Sequence, residues 1–260
     1  MGYKYETHLH TSNSSKCGAS DAREYIPYYK EMGYDGIFVT DHFYLGNTCV
    51  PRELPWEQWA RKYCEAYRIA KEEGDKQGLK VFFGWETSYD AEDFLIYGLD
   101  EEWLVRHPDI ITWNQKEQYE HIKADGGLVV QAHPFRERGY MTEIKLHPYH
   151  CDAWEIANCG NYPYQDILAY RYAKAHNMVM TAGSDIHRAH GSNNGTVFGV
   201  ETEEPLNSEQ DYVNLVLSGK GFKPHVPDGW LLNDFSEPKN FETFLFDQDN
   251  NKIKMTDFNF

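Results

Sequence analysis

His8 and His10 stand two residues apart in the segment Tyr3-Lys4-Tyr5-Glu6-Thr7-His8-Leu9-His10. On an extended strand such residues share a face, so the two imidazoles aim at one point. Among twelve histidines that spacing arises easily by chance, and what gives it weight is its recurrence at other strand ends. Asp41 and His42 follow Gly36-Ile37-Phe38-Val39-Thr40, and Glu86 follows Val81-Phe82-Phe83-Gly84-Trp85. His133 follows Leu128-Val129-Val130-Gln131-Ala132, and Asp185 and His187 follow Met178-Val179-Met180-Thr181-Ala182. Mixed imidazole and carboxylate donors suit zinc, manganese or iron, and one carboxylate can join two cations.

To converge, these residues need strands that all deliver their ends to one place. A parallel α/β barrel does this, because its active site is assembled at the C-terminal ends of its strands. The intervening chain has the required alternation. Segments 21–32, 57–77, 112–124, 164–175 and 208–217 carry apolar residues at helical spacing. Short apolar runs at 154–157 and 196–201 bring the expected strands to about seven or eight, joined by right-handed crossovers. An open doubly wound sheet is the competing architecture. The tail reads differently: 240–246 and 252–256 alternate around Asp247-Gln248-Asp249-Asn250-Asn251, the pattern of a β-hairpin. We expect a single domain over 1–260, with a motif-bearing core at about 3–200 and a C-terminal extension at about 201–260 that ends in this hairpin appendage.

A formal net charge of −16 argues against long nucleic acid or an anionic membrane surface as partner. A small phosphorylated ligand stays compatible, since bound cations invert the field locally. The five cysteines, an odd number without a Cys-x-x-Cys spacing, read as reduced thiols. With the first strand starting at once and no apolar run of membrane-spanning length, the expected location is the cytoplasm.

Taken in order, His8-Leu9-His10-Thr11, Thr40-Asp41-His42, Gly84-Trp85-Glu86, Ala132-His133-Pro134 and Gly183-Ser184-Asp185-Ile186-His187 resemble the motifs of the PHP family, named for polymerase and histidinol phosphatase. The resemblance runs from residue 3 to about residue 200. It implies a distorted TIM-like barrel of seven β/α units holding two or three divalent transition-metal ions (zinc, manganese or iron), usually for hydrolysis of phosphate esters. By that resemblance His8, His10, Glu86 and Asp185 hold the first metal, and Glu86 bridges to a second that also takes His133. His42 and His187 hold a third. Glu86, Asp185 and His187 would carry the chemistry, around a hydroxide that bridges the metals.

The chain departs from the family pattern twice. Where the family places a further histidine for the second metal, this sequence has Asp93, a harder oxygen donor that would favour manganese. In the loop after His10, where an Asp or His usually serves the third metal, it has Ser14-Ser15-Lys16-Cys17-Gly18. Cys17 is either a soft thiolate ligand or a small buried thiol. Arg136 is a candidate to fork onto a phosphate, and His190 a candidate to line the substrate pocket. His107, His121, His147, His150, His176 and His225 lack a motif and read as surface or structural residues, and Arg188 and Lys16 as weaker substrate contacts.

Three functions fit these residues: hydrolysis of a small phosphate monoester, hydrolysis of a carboxylic ester or amide by the same metal chemistry, and metal binding without turnover. No basic stripe or stacking platform argues for a nuclease.

Overall fold

Strands β1 (Tyr3–Glu6), β2 (Gly36–Val39) and β3 (Lys80–Tyr89) run parallel, as do β5 (Leu128–Gln131), β7 (Ala153–Asn158) and β8 (Val179–Gly183). Between the two groups lies β4 (Glu92–Tyr97), antiparallel to both β3 and β5. Antiparallel β9 (Gly199–Thr202) and, at the edge, β10 (Phe222–His225) complete a nine-stranded sheet in the order β10-β9-β1-β2-β3-β4-β5-β7-β8. β8 packs against β9 and β10, which nearly closes the sheet into a barrel. The computed structural model describes residues 2–190, 196–232 and 241–255, so Asn240, Thr256 and Gly191 fall outside it.

The expected distorted barrel is therefore present, and the distortions have local causes. β3 and β4 are joined by two residues, Asp90 and Ala91, with φ of 24° and 67°. Positive φ at both central positions is the turn that reverses a strand, whereas a parallel partner needs a crossover of a dozen or more residues. β10 carries Pro224 and lies at the sheet edge, where a missing N–H is tolerated.

Alternate residues of the strands face alternate layers. Phe38, Phe82, Leu95, Tyr97, Leu128 and Val130 form one buried cluster with Tyr212, Val213 and Val216 of a C-terminal helix. Ile37, Val39 and Val81 pack outward against the N-terminal helices. The inward cluster fills the barrel below the strand ends, which is what a packed barrel core requires.

Most expected helices appear with corrected ends. The segment 21–32 opens with a short 3-10 turn capped reciprocally by Asp21 and Glu24, then becomes α1 (Tyr25–Glu31). The segment 57–77 is two helices, α2 (Trp56–Tyr63) and α3 (Glu65–Gln77), because Cys64 between them flattens to ψ −3° with its side chain buried. A short α4 (Glu101–Arg106) was not anticipated. α5 (Gln115–Ala124) begins after Asn114, which caps it together with Glu117. α6 spans Pro163–Ala175, and α7 spans Glu209–Ser218 behind the cap Ser208.

The C-terminal hairpin, β11 (Glu242–Phe246) and β12 (Lys252–Lys254), is more than an appendage. β11 pairs in parallel with β6 (Glu143–Leu146), a strand not anticipated in the sequence, to make a second sheet of three strands. His147 and His150 are buried beneath it, the structural one of the two places expected for them, and the His147 ring stacks on Phe246 at 4.2 Å. Among the described residues no helix is long and apolar enough to cross a membrane.

Candidate metal centre

Two bridges beyond the regular strands bring the chemistry together. Leu9 pairs with Ile186, with the His10 N–H donating to the Ile186 carbonyl at 2.9 Å and the Ile186 N–H to the His8 carbonyl at 3.3 Å. This sets His8 and His10 beside Asp185 and His187. His42 pairs with Glu86 in the same way across β2 and β3. Every expected ligand except Asp93 then falls into one of three overlapping donor sets: His8, His10 and Asp185; His8, Glu86 and His133; His10, His42 and His187.

Donor separations fit shared cations. His8 Nε2 lies 3.1 Å from His10 Nε2, 3.2 Å from Glu86 Oε1 and 3.5 Å from Asp185 Oδ1. Nitrogen and oxygen donors at ordinary bond lengths around one tetrahedral cation stand roughly 3.3 Å apart. Glu86 faces two ways: Oε1 is 3.3 Å from His133 Nε2, and Oε2 is 2.5 Å from His42 Nδ1. That last pair is a buried ion pair. Buried imidazoles and carboxylates converging this closely are the donor chemistry that transition-metal ions take. The residues present therefore fit a metal cluster with Glu86 at its hub.

Charge is arranged to suit ligation. Burial opposes ionisation of Glu86 and Asp185, but His42 and His8 around the first, and Arg136 and His8 around the second, hold both carboxyls well below their usual range. Burial, reinforced by the charges of His42 and His187, keeps His10 well below the ordinary histidine value and so neutral, the state that ligates. His8 is pushed the other way: burial disfavours its charge, but Glu155, Asp185 and Glu86 outweigh this. Cys17 is the one cysteine of the five whose thiol is pulled down, to about 6, because hydrogen bonds from His187 and His42 overcome burial.

Backbone strain marks the same residues. His133 and Asp185 have φ of 31° and 51°. Such conformations in non-glycine residues cost of order 1–3 kcal/mol each and collect at functional sites.

Other expectations are placed differently. Asp93 reaches the cleft but lies 3.8 Å from His133 Nε2, outside the three sets, and burial followed by the charge of Glu86 raises its carboxyl. Asp41 is not a ligand: it accepts from the Thr11 N–H, the Thr11 hydroxyl and the Ser15 hydroxyl, fastening the loop after β1. Arg136 is not a free fork. Its Nη2 pairs with Asp185 Oδ2 at 2.7 Å and donates to Asn158, and its Nε donates to Asn161. His190 packs edge-on against Tyr28, exposed and away from the cleft lining. Lys16 and Arg188 are exposed. His107, His121, His176 and His225 pack on the rings of Trp103, Trp113, Tyr172 and Tyr34.

Sequence reasoning missed Glu155. Its Oε1 accepts from the His8 Nδ1–H at 2.9 Å, which leaves Nε2 free to ligate, and its Oε2 accepts from the His133 N–H at 3.0 Å and from Asn158. One carboxylate thus orients two of the candidate donors. Glu155→Gln, which keeps the shape but not the charge, is expected to weaken metal binding roughly 10–100-fold, measured by competition against a chromophoric chelator. Wild-type affinity in that variant would rule the role out.

A family model for the PHP domain matches residues 6–223. The chain belongs to the PHP family. No curated protein matches it. A two-domain protein from Bacteroides vulgatus containing a predicted PHP-like metal-dependent phosphoesterase superposes with a TM-score of 0.62 at 17% identity, covering 87% of this chain and 65% of that one. This PHP chain thus spans 65% of the length of that relative. A structure assigned to the metal-dependent phosphoesterases from Bifidobacterium adolescentis gives 0.50 at 15% identity, over 84% of this chain and 96% of that one. A sulfate-bound amidohydrolase from Chromobacterium violaceum gives 0.50 at 14%, over 82% and 96%. At such identities the likeness establishes the shared PHP-type barrel fold.

Proposed function

We propose that this PHP protein is a metal-dependent phosphoesterase acting on a small phosphate monoester, of the kind formed by a sugar, an amino alcohol or a nucleoside. The observation that carries the reading is the placement of three donor sets, linked through His8 and His10, at a cleft of about 640 Å³ whose wall includes Glu86, Arg136, Arg138 and Tyr140. That volume suits a small molecule rather than a polymer. Positive guanidinium groups beside the ligands favour a phosphate dianion in a chain that is otherwise strongly acidic.

Divalent ions bound here would supply a nucleophile at neutral pH and neutralise phosphoryl charge. The residues do the rest. Glu86 sets the spacing between donor sets through its two oxygens, and Glu155 fixes the tautomer of His8. Arg136 clamps Asp185 in its strained conformation. Arg138, with one guanidinium nitrogen donating to the Glu137 carbonyl at 2.9 Å and another to the Gly160 carbonyl, is the second guanidinium on the cleft wall and, unlike Arg136, is not paired with Asp185. His187 Nδ1 faces the Asp185 carbonyl at 2.8 Å, which commits that nitrogen as donor and leaves Nε2 to ligate.

Phosphate release by the metal-replete protein from a panel of sugar, amino-alcohol and nucleoside monophosphates tests the reading. At least one should be hydrolysed, with chelation abolishing the activity. Hydrolysis of carboxylic esters or amides without any phosphate release would transfer the site to carbonyl chemistry.

A further inference from the structure

The guanidinium on Asp185 is itself held from behind. Arg136 Nη2 meets Asp185 Oδ2 and Asn158 Oδ1, each at 2.7 Å, and Nε donates to Asn161 Oδ1 at 2.8 Å. An asparagine amide can turn over, exchanging its oxygen for its NH2. Neither can do so here, because a guanidinium only donates and the group on the far side of each amide is a carboxylate that accepts. Asn158 Nδ2 donates to Glu155 Oε2 at 2.8 Å, and Asn161 Nδ2 donates to Asp166 Oδ1 at 2.9 Å.

Asp166 is the outermost of these groups. It lies in the first turn of α6, fully buried, with three neutral donors around it. Oδ1 takes the Asn158 N–H at 3.2 Å beside the Asn161 amide, and Oδ2 takes Trp230 Nε1 at 2.8 Å. Burying a carboxylate is costly, and an asparagine in its place would turn its own NH2 towards at least one of these donors. Trp230 comes after the residues that match the PHP model, and its ring is fixed edge-on against Phe198 at 5.2 Å. The chain beyond the matched residues thus reaches the back of the centre. The loop between β7 and α6 lies directly on the ion pair: a Cβ at Gly160 would stand 3.0 Å from Arg136 Nη2 and 3.3 Å from Asp185 Oδ2.

We propose that Asp166 is a positioning residue for the metal centre. Seated by Trp230, it fixes the Asn161 amide, which holds the Arg136 guanidinium on Asp185 Oδ2. That leaves Oδ1 aimed at His10 Nε2 and His8 Nε2, at 3.0 and 3.5 Å. The inference rests on reading the centre as a metal site. Groups that orient a ligand in this way change metal affinity without touching the metal.

Zinc alone is the probe, competed against a chromophoric chelator in metal-stripped full-length protein. Asp166→Asn should weaken zinc binding roughly tenfold, and Asn161→Ala by a similar factor. Because Asp166 acts through Asn161, the double variant should bind zinc no more weakly than Asn161→Ala alone. Losses that simply add assign Asp166 to the scaffold and overturn the proposal. Trp230→Phe keeps the ring against Phe198 but removes the N–H, and should shift the affinity in the same direction by less. Wild-type zinc affinity in Asp166→Asn, whatever its melting temperature, overturns the assignment while leaving the metal centre standing. Should Asp166→Asn fail to fold, wild-type affinity in both Asn161→Ala and Trp230→Phe overturns it equally. Wild-type protein that takes up no zinc in equilibrium dialysis overturns both readings.

Discussion

Glu86→Gln is expected to strip most of the bound transition metal, with affinity falling roughly 100-fold or more, whereas His42→Ala should remove only part of it. The asymmetry follows from geometry. Glu86 Oε1 faces His8 and His133 while Oε2 faces His42 and, at 3.6 Å, His10, so one carboxylate touches every donor set. Glutamine keeps one oxygen but places an amide donor where a cation should lie, and removes the negative charge that offsets neighbouring cations. Elemental analysis of replete wild type should show at least about two ions per chain, since the donor sets suffice for two adjoining sites. Equal metal loss in the two variants would contradict the hub role of Glu86.

The candidate donors that the fold brings together were legible in the sequence because strand ends are: an apolar run that stops at His, Glu or Asp announces both an element and what it delivers. Residues that orient ligands were not. Glu155 sits inside Ala153-Trp154-Glu155-Ile156, where one charged residue in a strand looks like an ordinary solvent-facing position. Only closure of the barrel turns that face inward, towards His8. Arg136 misled for the opposite reason: its spacing from His133 is visible, but its pairing with Asp185 depends on two distant strands meeting. A charged residue within an otherwise apolar run, as at Glu155, is the signal that could have found this group, since it is buried.

Topology was legible where connections are long and failed where they are short or non-local. Asp90-Ala91 lacks the Asn-Gly or Asp-Gly signature of a reversing turn, so antiparallel β4 was hidden within a parallel expectation. The strand Glu143-Ile144-Lys145-Leu146 does alternate, with Ile144 and Leu146 buried. Its partner β11 lies about a hundred residues further on, and Lys252 of the next strand, β12, reaches back to Glu143. Period-two alternation over four residues cannot name a partner that distant.

His133→Ala is expected to lower turnover of a phosphate monoester by at least about 10³-fold while the fold survives, and Asp185→Asn to do the same. The two positions differ in what else they hold. His133 contributes its ring to the set with Glu86 and His8, and its backbone N–H to Glu155, a bond that alanine keeps. Asp185 also neutralises Arg136, so Asp185→Ala would leave a buried guanidinium without its carboxylate, a loss of about 3–5 kcal/mol that confounds activity with stability. Asparagine retains an oxygen for Arg136 and is the cleaner test. A thermal melt beside the kinetics separates the effects: a large fall in rate with little change in melting temperature assigns the side chains to the chemistry. Parallel loss of rate and fold would assign them to the scaffold, and wild-type turnover in His133→Ala would remove that residue from the centre.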